Sequence, residues 1–296
     1  MNHKIISSGK IVVGPAPLGQ EGEFQIDPDT RFIYSTSGSS TSQALHTEGL
    51  QRIRANIVYQ TDSSPVTAEA YATRLRDRFV LGGAVTGQGL KEGIIRFLDV
   101  VDPFAERLRS VNTVVNRDGK LYGYNTDAVG LQSALKDRIK TSQPQIQTAV
   151  IYGNGGVSGV AYYVLKEMGM RVTMVGRNPN RVDAKRELLG IEHFDGPYDL
   201  VINATPVSAS PLKNAVLLPQ LLKECVLVFD HSMPERDGKI NYLAQWCAEN
   251  NRQFIPGTAM FGAQKEAQLS LFLCHLIRPD GTPWIDRTEI ASIFRS

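Results

Sequence analysis

Two stretches of the chain hold residues placed for chemistry rather than for packing. In "AVIYGNGGVSGV", Gly153, Gly155 and Gly156 follow an apolar β-run and open a helix. Glycine at such a turn lets the backbone bend sharply and approach a pyrophosphate, whose charge is favoured by exposed N–H groups and the positive end of the helix dipole. Strand, turn, helix and second strand together fill about 30 residues, the size of one dinucleotide-binding unit. The spacing departs from Gly-x-Gly-x-x-Gly, with Ser158 and Gly159 beyond the third glycine, so a tight turn without a ligand is the alternative. The second strand ends in "VGRNPNR", which offers no acid for a ribose 2′-hydroxyl but does offer Arg177 and Arg181. Two guanidiniums suit a 2′-phosphate, which arginine grips in bidentate fashion. Asp183 lies too far along to replace the acid. These residues point to NADP, against the plainer alternative of two solvated arginines at a helix start.

The second stretch is "SVNTVVNRDGKLYGYNTDAVG", Ser110 to Gly130. Two short β-branched or aromatic runs flank Asp118-Gly119, a strong hairpin-turn signal. Asn112 nevertheless sits inside an apolar strand, and Asn125-Thr126-Asp127 falls where the second strand stops and a helix starts. An amide and a carboxylate in those places imply something other than water to face.

The elements that must position these residues read as two halves. In the first, "RFIY", "ANIVYQ" and "GGAVT" are strands. "ALHTEGLQRI" reads as a helix, "SPVTAEAYATRLRDR" as a helix opened by Ser-Pro, and "KEGIIRFLDVV" as a helix stopped near Pro103. From about Ala128 the pattern changes. Strands "TAVIY", "RVTMVGR", "DLVINAT", "CVLVFD" and "QFIPG" alternate with helices, as in a parallel sheet covered on both faces. The closing "AMFGAQKEAQLSLFLCHLI" carries Met260, Ala263, Ala267, Leu271 and Cys274 at steps of three and four, which predicts one apolar helix face.

Bulk properties narrow the partners. A chain of 296 residues accommodates two domains. Thirty-two Lys and Arg against 30 Asp and Glu give a net charge of +2, no electrostatic case for nucleic acid or an anionic membrane. No apolar run approaches the ~20 residues that span a bilayer, and Met1 to Gly14 lacks the pattern of a signal peptide. Three scattered cysteines without C-x-x-C spacing read as buried thiols rather than disulfides or a zinc site. A cytoplasmic location follows as the expectation.

In this order the stretches resemble shikimate dehydrogenase from about Asp27 onward. "SSTSQALH" resembles that family's substrate-carboxylate loop and supplies Ser40 and Ser42. "AVTGQGLKE" resembles the catalytic loop and supplies Thr86 and Lys91, while "SVNT" and "GYNTDAVG" supply Asn112 and Asp127. "GNGG" and "GRNPNR" are similar to the NADP motifs, and "NATPVS" to the loop beside the nicotinamide. "GTAMFGAQKEAQ" is similar to the returning helix, with Gln264 in the substrate-contacting position.

The resemblance implies an α/β chain of two domains with a cleft between them. An N-terminal substrate domain with a mixed sheet would comprise 25–127 plus 259–296, after an extension of 1–24, and a C-terminal Rossmann NADP-binding domain would comprise 128–258. It implies an NADP-dependent oxidoreductase interconverting 3-dehydroshikimate and shikimate, or a closely related hydroxylated ring acid, on the route to chorismate and aromatic amino acids. Lys91 and Asp127 would be the proton donor and acceptor, and Ser40, Ser42, Thr86, Asn112 and Gln264 the substrate contacts. The cofactor would meet Gly153, Asn154, Gly155, Gly156, Val157, Arg177, Asn178, Arg181, Ala204, Thr205, Pro206 and Gly257, with no metal. The protein would be a monomer or homodimer whose partner is a small ring acid. His46 reads as a packed or surface residue and Tyr124 as structural.

Several positions depart from the family pattern, mostly around the substrate. Ala84 replaces the usual Asn, and Gly87-Gln88-Gly89-Leu90 replaces a shorter Pro-containing spacer. Gln43 stands for Pro, Ser232 or Met233 for a Tyr, and Pro206 and Ser208 for Ser and Gly. Two alternatives therefore stand beside the leading reading: a paralogue acting on quinate or a related ring acid, and a non-catalytic NADP-binding regulator. A third assigns the first half to folate- or glutamate-derived substrates, since similar architectures serve those; "SVNT" and "YNTD" argue against it.

Overall fold

Short strands rich in β-branched and aromatic residues, alternating with helices, build two separate sheets in the computed structural model of the chain. Described are residues 30–36, 40–53, 55–62, 64–87, 89–142, 145–212, 217–233, 238–276, 281, 285–288 and 290, except the side chains of 40–42 and 45. The N-terminal extension lies outside them. The chain divides into two compact units, Met1–Asn125 with Glu266–Ser296, and Thr126–Lys265.

The first unit runs β1 (Arg31–Ser35), α1 (Ser40–Arg52), β2 (Ile57–Thr61), α2 (Ala68–Leu75), β3 (Val80–Ala84), α3 (Leu90–Gly93), β4 (Val100–Val101), α4 (Pro103–Leu108), β5 (Thr113–Arg117) and β6 (Lys120–Tyr124). Its six strands lie in the order β2-β1-β3-β5-β6-β4. β1 pairs parallel with β2 and β3, β5 antiparallel with β3 and β6, and β4 parallel with β6. The sheet is therefore mixed, as the resemblance implied. The hairpin turns at Asp118 and Gly119, both at positive φ (53° and 84°), the pattern of a type I′ turn matched to strand twist. In β3, Gly82 and Gly83 leave room that side chains would fill. A Cβ on Gly82 would stand 2.2 Å from the Val114 carbonyl, and one on Gly83 2.2 Å from the Tyr71 hydroxyl. Tyr71 uses that approach to donate to the carbonyls of Tyr34 (3.1 Å) and Ala84 (3.2 Å).

The second unit contains α5 (Asp127–Thr141), β7 (Thr148–Tyr152), α6 (Gly156–Glu167), β8 (Arg171–Val175), α7 (Pro179–Leu189), β9 (Leu200–Asn203), α8 (Leu218–Leu221), β10 (Leu227–Asp230), α9 (Tyr242–Glu249), β11 (Gln253–Pro256) and the start of α10 (Phe261–Leu273). Its five strands are all parallel, in the order β11-β10-β9-β7-β8. Such strands are covered on both faces, and the centres of β7, β9 and β10 are fully buried. The order reverses between β7 and β9, the switch point at which doubly wound sheets bind ligands.

Four local expectations need correction. The helix expected from Ser-Pro starts later, because Thr67 caps it: its hydroxyl accepts from Ala70 N at 3.1 Å. "KEGIIRFLDVV" is not one helix; α3 ends at Gly93, a 3-10 turn follows over Ile95–Phe97, and Val100–Val101 are captured by β6 as a strand. Pro103 begins a helix rather than stopping one, since Asp102 accepts from Phe104 N and Ala105 N and proline suits a first helical turn. The buried side chains of α10 are Gln268, Leu269, Phe272 and Leu273, a face set by the bulkier residues; of the expected face Met260 is buried, while Ala263, Ala267 and Leu271, and Cys274 just past the helix, are only half-buried.

Candidate functional site

At the switch point, β7 ends in Tyr152 and the chain turns through Gly153 at φ 118°. A Cβ there would lie 2.6 Å from Thr205 Cγ2 and 3.1 Å from the Ala204 carbonyl, so only glycine lets the turn pass beneath the β9 loop. Gly155 and Gly156 are exposed at the start of α6, and no side chain caps that helix. Ser158 donates its hydroxyl to the Gly155 carbonyl at 2.5 Å.

The turn borders a cavity of about 810 Å³ lined by Tyr152, Gly153, Asn154, Gly176, Arg177, Asn178, Pro179, Arg181, Thr205, Pro206, Val207 and Ser210. Of the residues implied as cofactor contacts, Gly153, Asn154, Arg177, Asn178, Arg181, Thr205 and Pro206 are in this lining. Val157 and Ala204 are half-buried beside it in sequence. Gly257 is buried elsewhere in the same unit, where a Cβ would meet the carbonyls of Asp230 (2.8 Å) and His231 (2.9 Å). Arg177 and Arg181 are exposed, and Asn178 caps α7, its Oδ1 accepting from Arg181 N at 3.2 Å. Asp183 forms an ion pair with Arg186 and is not in the cavity lining. A glycine passage, an uncapped helix start, two arginines and a large cavity fit a phosphorylated dinucleotide.

The loop after β9 is held from behind by a buried polar network that sequence reading did not find. Thr205 donates its N–H (3.1 Å) and hydroxyl (2.7 Å) to Asn203 Oδ1. Asn203 Nδ2 donates to Asp230 Oδ1 (2.8 Å), and Asn241 Nδ2 to Asp230 Oδ2 (2.9 Å). Burial pushes the Asp230 carboxyl up, against the pull of these donors and of the Ser232 N–H. Burial likewise raises the Tyr152 phenol, opposed by Arg177.

Also in the second unit, Asp127 opens α5 and is buried. Gln264 Nε2 donates to its Oδ1 at 2.5 Å across 137 residues. Gly130 permits this contact: a Cβ on it would stand 2.7 Å from the Met260 carbonyl and 3.0 Å from Gln264 Cβ.

In the first unit, Lys91, Thr86 and Asn112 are tied to neighbouring strand ends. The Val111 N–H donates to the Lys91 carbonyl (2.9 Å), and Val85 N to the Asn112 carbonyl (2.8 Å), which joins the 85–91 segment to the hairpin. Lys91 is half-buried and Asn112 is buried. Thr86 N donates to Thr36 Oγ1 at 2.7 Å, and the two threonine hydroxyls are 3.2 Å apart. Thr36 was missed because its loop reads only as small and polar. Asn125 is buried and donates to the Ser110 carbonyl at 2.9 Å. Ser40 and Ser42 open α1, with side chains outside the described residues. His46 is packed, stacked on Tyr59 with ring centroids 4.0 Å apart. Among the described residues no group of His, Cys, Asp and Glu could hold a metal ion, and no helix is long and apolar enough to cross a membrane.

The parallel, doubly wound sheet with its glycine turn and arginine-flanked cavity defines a dinucleotide-binding α/β protein carrying a second, mixed-sheet unit. No model of a known protein family matches the chain. Individual proteins do. A shikimate dehydrogenase (NADP(+)) from Thermus thermophilus is 35% identical over 193 residues, 61% of this chain and 70% of that protein. One from Clostridium botulinum is 32% identical over 198 residues, 64% of this chain and 74% of that protein. The crystal structure of a Thermus thermophilus shikimate 5-dehydrogenase in complex with NADP(H) and shikimate superposes with a TM-score of 0.68 at 27% identity, covering 90% of this chain and 98% of that one. The chain belongs to the shikimate dehydrogenase family.

Proposed function

We propose that the protein is an NADP-dependent oxidoreductase that interconverts 3-dehydroshikimate and shikimate, or a closely related hydroxylated ring acid. The cavity bordered by Gly153, Arg177 and Arg181 carries this reading, because its glycine passage and paired guanidiniums match a dinucleotide bearing a 2′-phosphate. NADP supplies the hydride acceptor for alcohol oxidation and the donor for ketone reduction. Lys91 gives the carbonyl oxygen its proton on reduction and takes it back on oxidation. Asp127 is its partner in that exchange, held in one rotamer by Gln264. Asn112, Thr86, Ser40, Ser42 and Gln264 hold the ring hydroxyls and carboxylate; the first unit serves as the substrate domain and the second as the cofactor domain, whose compact bounds take in Asp127 and 259–265 rather than 128–258 alone.

Mixing the protein with NADP and a panel of shikimate, quinate and related ring acids, and following reduced nicotinamide, tests the reading. Turnover with at least one ring acid is expected. Lys91→Ala should lower kcat by about 10²–10⁴, the usual worth of a general acid–base group, with NADP affinity retained. Tight NADP binding without turnover on any ring acid would favour the regulator instead.

A further inference from the structure

Asn203 ends β9 and Asp230 ends β10, both are 0% exposed, and nothing in the proposed reaction uses either. Asn203 Nδ2 uses both of its hydrogens, donating to Asp230 Oδ1 (2.8 Å) and to the Thr205 carbonyl (3.0 Å). Its Oδ1 accepts from the Thr205 N–H (3.1 Å) and the Thr205 hydroxyl (2.7 Å). Asp230 also accepts at Oδ1 from Ser232 N (3.0 Å) and at Oδ2 from Asn241 Nδ2 (2.9 Å), with the buried Ser208 hydroxyl beside it.

The orientation of the Asn203 amide is determined from both ends. A carboxylate offers acceptors alone, so the Asn203 atom facing Asp230 is nitrogen. A backbone N–H only donates, so the atom facing Thr205 is oxygen. The Thr205 hydroxyl proton is thereby committed inward, and the hydroxyl oxygen accepts from Val207 N (3.3 Å) at the start of the Pro206–Ala209 3-10 turn. The Thr205 methyl is left toward the glycine turn, where a Cβ on Gly153 would lie 2.6 Å from Thr205 Cγ2. Thr205 and Gly153 both line the cavity. The buried pair therefore sets how closely the β9 loop approaches the turn that a pyrophosphate must reach.

We propose that Asn203 and Asp230 are positioning residues for the dinucleotide: they hold Thr205 with its hydroxyl inward and its methyl against Gly153, so that this wall of the cavity meets the cofactor by shape and gives it no hydroxyl proton. This rests on the cavity being the NADP site. Phosphate oxygens are met by N–H groups of the glycine turn and by Arg177 and Arg181 rather than by Thr205.

The test measures NADP binding to the full chain by calorimetry for wild type, Asn203→Ser, Asn203→Asp and Asn241→Ser. Serine at 203 is too short to span Thr205 and Asp230. Aspartate there keeps an acceptor toward Thr205 but sets a second carboxylate against Asp230. Each should raise Kd for NADP about tenfold, the worth of one well-made hydrogen bond, and leave KM for shikimate within about twofold. Asn241→Ser also takes one N–H from Asp230, but on the α9 side. Serine can still cap that helix, as Asn241 Oδ1 does by accepting from Leu243 N (3.1 Å) and Ala244 N (3.0 Å). This variant should lower Tm as Asn203→Ser does, yet keep Kd for NADP within about twofold of wild type. Equal changes of Kd in the 203 and 241 variants, or none at 203, would overturn the proposal, because a purely structural pair acts through Tm alone. The two serine variants bring no new buried charge and carry the comparison if Asn203→Asp does not fold. The expected Kd pattern without turnover on any ring acid would support the proposal and overturn the reaction. Wild type that fails to bind NADP would overturn the cofactor reading and the proposal with it.

Discussion

At the scale of single residues, the proposed function gives Arg177 and Arg181 the choice of cofactor. Both are exposed beside the cavity, and the nearby acid Asp183 is engaged with Arg186. A guanidinium on a 2′-phosphate makes charge-assisted hydrogen bonds, each worth about 1.5–3 kcal/mol. Arg177→Ala should therefore raise KM for NADP about tenfold or more by that measure while KM for NAD stays within about twofold. Equal losses with both cofactors would remove the arginine from phosphate recognition. The place of these two residues beside the cavity was legible because they lie next to the strand that locates them. Asn203, Asp230 and Asn241 were not, since an isolated Asn or Asp at a strand end reads as a turn residue until its partners from other strands are known.

Helix α5 and the start of α10 approach closely only because residue 130 lacks a side chain. In an isolated helix Gly130→Ala would stabilise by roughly 1 kcal/mol through propensity. Here the added methyl meets the Met260 carbonyl at 2.7 Å, a backbone atom that cannot turn aside. Gly130→Ala should thus destabilise the protein by about 1–3 kcal/mol, as overpacking does, and loosen the Gln264 bond to Asp127, lowering kcat in the same variant. A Tm at or above wild type with unchanged kcat would refute the role given to this contact. The hairpin at the same scale was readable, since Asp118-Gly119 determines its turn locally. The breaks after α3 were not, because the capture of Val100–Val101 by β6 depends on a strand some twenty residues on.

Across the whole molecule, carboxylates shape stability against pH with opposite signs. The Leu121 N–H and the Arg76 guanidinium hold Asp99 below its ordinary 3.8. Burial alone would raise Asp199, but the N–H groups of Gln147 and Thr148 and the Thr148 hydroxyl together bring it below 3.8. Both contribute stability that is present above 3.8 and lost as pH falls through their depressed folded values. Asp230, raised by burial, contributes in the opposite sense: its share is present below 3.8 and declines as pH rises through its folded value. Thermal melts from neutral pH downward should show Tm falling on the acid side, and Asp99→Asn or Asp199→Asn should flatten that limb. An acid limb unchanged in both variants would exclude these groups as its source.

The local arrangement of residues determined the glycine turn, the two arginines, the hairpin and the parallel series of strands. Each depends on neighbours within one supersecondary unit, where backbone conformation and periodicity act at short range. Tertiary structure decided which polar groups work together. Gln264 reaches Asp127 across 137 residues and Gln268 reaches Asn112 across 156. A hydrogen bond is satisfied by whichever donor the folded chain brings within about 3 Å, and no spacing along the sequence encodes that partner.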